Sequence, residues 1–240
     1  MSAFCLKLIA VAAMFIDHLA YTLSLSGLYP PRYILMRAVG RLAFPIFAFM
    51  LVNGLAHTRS RVKYLLRMAA FALVSQPFFA LAFSQASYSA APFSAFNLFS
   101  PSLNVFFTLA VSLAVIAALD ALYISAHTRQ NYFRALGLFA LAMLAAGLIL
   151  PRSDYGYMGL VLIAALYFTR QSRIGMAAVI VLWSFAQYAV QLWQFVAFAA
   201  LAGVLTLLYN GKRGAKARWI YAFYPLHLGA LWALCYAFSR

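Results

Sequence analysis

The sequence predicts an all-α fold, a polytopic transmembrane bundle of about nine spans forming a single integral membrane domain over residues 1–240. Three observations carry this reading. Apolar side chains make up 67% of the chain and the mean hydropathy is +0.90, well outside the range of soluble domains. Only 3 acidic residues stand against 18 Lys+Arg, and the basic residues punctuate apolar runs instead of covering a solvated face. The runs themselves approach the ~20 residues that cross a bilayer.

Taken in order, the first run, 6–25, opens like a signal sequence. Asp17-His18 interrupts it and no small-residue cleavage pattern follows, so it reads as a retained span. The second, 38–56, begins between Arg37 and Arg41, and the third, 68–83, follows the basic stretch Arg59 to Arg67. An uncharged Ser/Ala/Phe/Pro-rich loop from Ser84 to Asn104 precedes the fourth, 105–126. Two short runs come next, 135–150 and 156–169, separated by Pro151-Arg152-Ser153-Asp154-Tyr155. Short, Pro/Gly-flanked segments mark places where backbone bends into a cavity, with a thin local bilayer as the alternative. Runs at 174–189, 192–209 and 219–238 complete the set.

Basic residues set orientation. With the N-terminus inside, 13 fall on the inner side: Lys7, Arg59, Arg61, Lys63, Arg67, Arg129, Arg134, Arg170, Arg173, Lys212, Arg213, Lys216 and Arg218. Five fall outside: Arg32, Arg37, Arg41, Arg152 and Arg240. The expectation is a multi-pass protein of the bacterial cytoplasmic (inner) membrane, N-terminus in and C-terminus out, with membrane lipids as its surroundings. A net charge of +15 without a basic solvated face does not describe a nucleic-acid binder. Cys5 and Cys235 lack disulfide or metal-ligand spacing, so no metal is expected.

Ionisable groups at membrane depth are costly and therefore informative. Asp17 and His18 lie past the middle of the first span toward the outside, with Tyr21 one turn further on. Adjacent helical residues diverge by about 100°, so each needs a partner from another helix. Arg41, one turn after Arg37 at similar depth, is the natural partner for Asp17. Asp154 sits at the outer mouth, and His227, one turn after Tyr224, lies near mid-depth in the last span. His57 and His127 end helices beside arginines and read as interfacial, and Asp120 reads as a structural salt bridge to an inner arginine. Asn53, Gln76, Asn104, Gln187 and Gln191 read as interhelical hydrogen-bonding residues. A proton-accepting histidine, an Arg–Asp pair and a dry pocket suit acyl transfer to an amine or hydroxyl, and equally a proton-coupled secondary transporter or exporter. No Gly-x-Ser-x-Gly elbow, His-Glu-x-x-His helix or glycine-rich phosphate loop is present.

Six blocks, spread in order over most of the chain, go further: Ile16-Asp17-His18, Gly40 to Phe49, His57-Thr58-Arg59, Asn104 to Leu109, Ser153 to Gly156 and Tyr224-Pro225-Leu226-His227. They resemble the TraX family, named for the F-pilin acetylase, which is distantly similar to heparan-α-glucosaminide N-acetyltransferase. The resemblance implies an N-acetyltransferase with acetyl-CoA as donor and an extracytoplasmic amine as acceptor, a protein N-terminus or an amino sugar. On that reading His18, His227, Asp17, Arg41 and Asp154 are the catalytic cluster. Tyr21, Arg37, Asn104, Tyr155 and Tyr224 are the expected substrate-binding residues, and Arg59, Arg61, Lys63, Lys212 and Arg213 are the expected site for the polyanionic donor.

Overall fold

The computed structural model describes residues 1–88, 102–128, 131–216 and 219–238. Most of the loop Ser84 to Asn104, with Arg129, Arg218 and Arg240, lies outside the described residues. The elements are helices α1 (Ala3–Leu25), α2 (Tyr33–Gly40), α3 (Ala43–His57), α4 (Arg61–Phe83), α5 (Val105–Thr128), α6 (Tyr132–Ile149), α7 (Gly156–Phe168), α8 (Arg173–Tyr188), α9 (Trp193–Leu207) and α10 (Trp219–Phe238). Among the described residues five segments, Ala3–Leu25, Tyr33–His57, Arg61–Phe83, Val105–His127 and Tyr132–Arg152, are long and apolar enough to cross a membrane, and four shorter apolar helices follow. The chain is a multi-pass, all-helical membrane protein.

The second span differs from its sequence expectation. It begins at Tyr33 and breaks between α2 and α3. Pro45 has no N–H to offer the Arg41 carbonyl four residues earlier, and the turn tightens, with Arg41 N–H bonding Ala38 O at 3.0 Å and Leu42 N–H bonding Val39 O at 3.2 Å. The two short runs become α6, a 3₁₀ turn over Leu150–Arg152, and α7. At 13 residues α7 is only about 20 Å long, short of the ~30 Å hydrocarbon core. The intervening backbone folds inward and pairs with the segment before α5: Leu103 N–H bonds Arg152 O at 2.7 Å and Asp154 N–H bonds Leu103 O at 3.1 Å.

A contiguous apolar core joins α1, α3, α4, α5, α7, α8, α9 and α10 through Leu6, Phe44, Phe79, Leu113, Leu162, Ile180, Ala199 and Leu228. The α5–α6 pair closes a second cluster around Val111, Ala146 and Leu150. Outward faces such as Phe133, Leu144 and Leu148 on α6 stay exposed, as lipid-facing residues do. The start of α1 is held by the α9–α10 connection, where Ala3 N–H bonds Lys212 O at 2.9 Å and Phe4 N–H bonds Arg213 O at 3.2 Å.

One glycine fixes how closely α1 and α2 approach. A Cβ at Gly40 would lie 2.3 Å from the Cβ of Asp17, atoms with no flexible chain to move. Gly40→Ala must therefore separate the two helices and displace Asp17. The expected cost is roughly 1–3 kcal/mol, as for other overpacked interiors, read as a lower thermal midpoint in detergent. An unchanged midpoint would mean that the contact is not as close as this.

Candidate functional site

Two cavities enter the bundle from opposite ends and share a wall. The first, about 550 Å³, is polar and is lined by Asp17, His18 and Tyr21 of α1, Arg37 and Arg41, Phe79 and Phe83 of α4, the turn Pro151 to Tyr155, and Tyr224. The second, about 450 Å³, has a basic lining of Lys7, Arg67 and Arg213, together with His57, Thr58, Tyr64 and Tyr209. Met14, Phe47, Val105 and Tyr224 line both. Each helix crosses the shared wall in its own register. On α1, Lys7 faces the basic cavity, Met14 the wall, and His18 the polar cavity, about 16 Å along the axis from Lys7. On α3 the order runs from Phe44 through Phe47 to His57, and on α4 from Phe83 to Arg67.

In the polar cavity Asp17 Oδ1 receives Arg37 Nη1 at 2.8 Å and Arg41 Nη2 at 3.1 Å. Arg41 Nε also donates to Arg37 O at 3.1 Å. Aromatic faces complete the cradle: Arg37 lies 4.7 Å from the Tyr21 ring centroid and Arg41 lies 5.2 Å from that of Phe195. One carboxylate thus holds two guanidiniums.

The two intramembrane histidines meet. His18 Nδ1 is 2.8 Å from His227 Nε2, with the ring planes 5° apart. His227 Nδ1 is 2.8 Å from the carbonyl of Phe223. A carbonyl only accepts, so His227 carries its proton on Nδ1 and its Nε2 is the acceptor in the neutral ring. His18 must then donate from Nδ1, which leaves the lone pair on His18 Nε2. His18 lines the polar cavity, so Nε2 is the imidazole nitrogen left to serve it. Phe83 and Tyr224 bracket the His18 ring edge-on at 5.0 and 6.0 Å.

Asp154 is placed by the paired backbone at Leu103, and Ser153 beside it bonds Thr108 at 3.0 Å. Tyr155 stacks on Phe44 with centroids 3.6 Å apart. Desolvation by the surrounding turn and helices pushes the Asp154 carboxyl up to about 6, against the downward pull of Arg41, while the residue keeps an exposed face toward the cavity.

A family model described as TraX protein matches residues 2–235, nearly the whole length. The chain belongs to the TraX family. It is also 33% identical over 244 residues to a protein of Dichelobacter nodosus described as "Probable fimbrial assembly protein FimC, serogroup H1", the match covering 96% of this chain and 94% of that one. No solved structure matches the chain.

Most of the residues singled out in this TraX-family sequence converge on the polar cavity. Asp17, His18, Arg37, Arg41, Tyr21, Asp154, Tyr155 and Tyr224 line it, and His227 stands behind His18. Asn104, expected to bind substrate, does not line it. Its Nδ2 donates to Ala72 O at 2.8 Å and Gln76 Oε1 at 2.9 Å, while Oδ1 caps the start of α5 by accepting from Phe106 N–H at 3.0 Å. With both amide hydrogens and one lone pair of Oδ1 committed inside the fold, Asn104 ties α4 to α5 and so holds Leu103 and Asp154 in place.

Of the five residues expected to hold the donor, Arg213 lines the basic cavity. Arg59, Lys63 and Lys212 are not among its described lining, and Arg61 reaches Asp120 at 2.7 Å, where Tyr167 also donates. Lys7 and Arg67 take their place. Their spacing along separate helices gave no signal in sequence, because only packing brings α1, α4 and the α9–α10 connection to one mouth. The shared wall and the His18–His227 contact went unread for the same reason. Among the described residues there is no group of three His, Cys, Asp or Glu that would hold a metal.

Proposed function

We propose that this protein is an integral membrane N-acetyltransferase that takes the acetyl group from acetyl-CoA on the cytoplasmic side of the bacterial inner membrane and delivers it to an amine (or hydroxyl) acceptor on the other side. The observation that carries the reading is the pair of cavities abutting at Met14, Phe47, Val105 and Tyr224, one with cationic lining and one with a free imidazole nitrogen. A polyanionic donor suits Lys7, Arg67 and Arg213. Its pantetheine arm is long and thin enough to pass between side chains, and would bring the thioester to the shared wall beside His18. The family's link to pilin, and the description of the D. nodosus relative as a probable fimbrial assembly protein, make an exported protein N-terminus the acceptor to test first, with an amino sugar second.

His18 Nε2 takes the proton from the attacking amine as the C–N bond forms. The C–S bond then breaks, and the thiolate leaves with the proton returned by the imidazolium, giving the acetamide and the free thiol of CoA. His227 accepts from His18 Nδ1 throughout and shares the imidazolium charge, which makes it a positioning residue. Phe79, Phe83 and Tyr224 keep the region poor in water, and Arg41–Asp17 fixes α1 against α2.

Release of CoA thiol from acetyl-CoA by the purified protein, with and without candidate amines, tests this against proton-coupled transport, which leaves the thioester intact. Orientation is tested separately. In a background with Cys5 and Cys235 replaced, single cysteines at Arg59 or Ala215 are expected to be shielded from an impermeant thiol reagent in intact cells. One at Tyr29, at the opposite end and exposed, is expected to be labelled. Labelling at Arg59 and shielding at Tyr29 would reverse the donor side.

A further inference from the structure

The three acidic side chains are not equivalent. Asp17 holds Arg37 and Arg41, and Asp120 holds Arg61 and Tyr167. Asp154 has no hydrogen bond or ion pair to its side chain among the described residues, although it lines the same cavity as three arginines. Arg37 and Arg41 are committed to Asp17, and Arg152, two residues before Asp154, makes no ion pair with it. Backbone bonds through Leu103 hold Asp154 in the turn, so its main chain is fixed at the cavity wall and its carboxylate is unspent. Asp154 keeps an exposed face toward the cavity, and among the described residues no cation lies within ion-pair distance of it, Arg41 acting on it only from farther off.

We propose that Asp154 is the recognition site for the acceptor's primary ammonium, so that the polar cavity selects cationic amines over neutral molecules of the same shape. This rests on the transferase reading above and names the residue that receives its second substrate. At neutral pH the carboxyl has lost its proton, which it holds only below about 6. The site therefore presents a negative charge where an amine arrives as R–NH3⁺. The bound ammonium passes one proton to the Asp154 carboxylate and becomes R–NH2. As nitrogen attacks the thioester carbon its second proton goes to His18 Nε2, and thence to the departing sulfur. Asp154 returns its proton to solvent at the cavity mouth. The balance is R–NH3⁺ plus acetyl-CoA giving R–NH–COCH3, CoA thiol and one H⁺.

Two matched pairs of probes test this on the full chain in detergent at pH 7.5 and constant ionic strength. Alaninamide against lactamide stands for a protein N-terminus, and glucosamine against glucose for an amino sugar. Calorimetric titration is expected to give the ammonium member of one pair a preference of about tenfold or more over its neutral partner, the scale of a charge-assisted hydrogen bond. Asp154→Asn is expected to abolish the preference and Asp154→Glu to retain part of it. The asparagine variant removes a charge that no ion pair among the described residues holds, without changing shape, so its thermal midpoint should not fall. The pair that shows the preference identifies the source of the amine. No preference in the unaltered protein for either pair, or a preference undiminished in Asp154→Asn, overturns the assignment. Binding is read without turnover, so an Asp154-dependent preference in a protein that never consumes acetyl-CoA would keep the ammonium site and discard the transferase.

Discussion

On the proposed transferase mechanism, replacing His18 by alanine is expected to lower acetyl transfer by roughly 10²–10⁴-fold per folded molecule, the usual contribution of one general acid–base group. The hydrogen-bond chain makes a more specific expectation than loss alone. His227 is anchored on the Phe223 carbonyl and orients His18 by accepting its Nδ1 proton. His227→Ala leaves the His18 ring without that acceptor and free to carry its proton on the wrong nitrogen, so turnover falls, by less than in His18→Ala. His227→Gln keeps an oxygen able to accept and restores part of the rate, which a merely space-filling role would not predict. His57 bonds the Asn53 carbonyl and His127 bonds the Tyr123 carbonyl, each within its own helix and exposed. Alanine at either leaves the rate near that of the unaltered protein. The five variants, compared in a thioester-consumption assay, decide the matter: near-normal turnover in His18→Ala sinks the proposed mechanism. Activity lost only in His57→Ala would move the chemistry to the basic cavity.

How far sequence carried this depends on which physical constraint left a trace in it. Spans were legible because a bilayer demands long apolar runs, and the cost of charge at depth singled out Asp17, His18, Arg41 and His227 without any contact being known. Asp120 could be assigned to an inner arginine because its place near a helix C-terminus left it needing a cation, and Arg61 supplies one. Three things left no such trace. The break after Gly40 depends on Pro45 removing a hydrogen-bond donor inside a run whose hydropathy stays high on both sides of it. Asn104 looked like a substrate residue by its place in a motif, whereas its bonds to Ala72, Gln76 and Phe106 are all internal. The basic mouth draws Lys7, Arg67 and Arg213 from segments far apart in the chain, so their convergence exists only after packing. Charge and hydropathy are properties of a segment and can be read along it, while a cavity is a relation among segments.

Asp17→Asn destabilises the fold by about 3–5 kcal/mol, the scale on which a charge stranded in a buried setting is penalised. The substitution keeps the shape of the side chain, so Gly40 still packs against it and the loss reports charge. Two guanidiniums, Arg37 at 2.8 Å and Arg41 at 3.1 Å, lose their common anion and are left to repel each other in the cavity. Arg41→Ala leaves Arg37 and Asp17 still paired, so on charge grounds it costs less than Asp17→Asn, even with the contact of Arg41 on the Phe195 ring removed as well. This asymmetry follows from one carboxylate serving two cations and is absent from a simple pair. The double variant Asp17→Asn/Arg41→Ala is milder than the sum of the singles, because the second substitution removes a cation that the first had stranded. Thermal midpoints in one detergent, with denaturant titrations where unfolding is reversible, give the three values. Strict additivity would mean the two side chains contribute independently, and α1 would then be held against α2 by packing at Gly40 alone. A cycle with coupling, and with Asp17→Asn the worst single variant, makes Asp17 the hub on which α1 and α2 set the depth of His18.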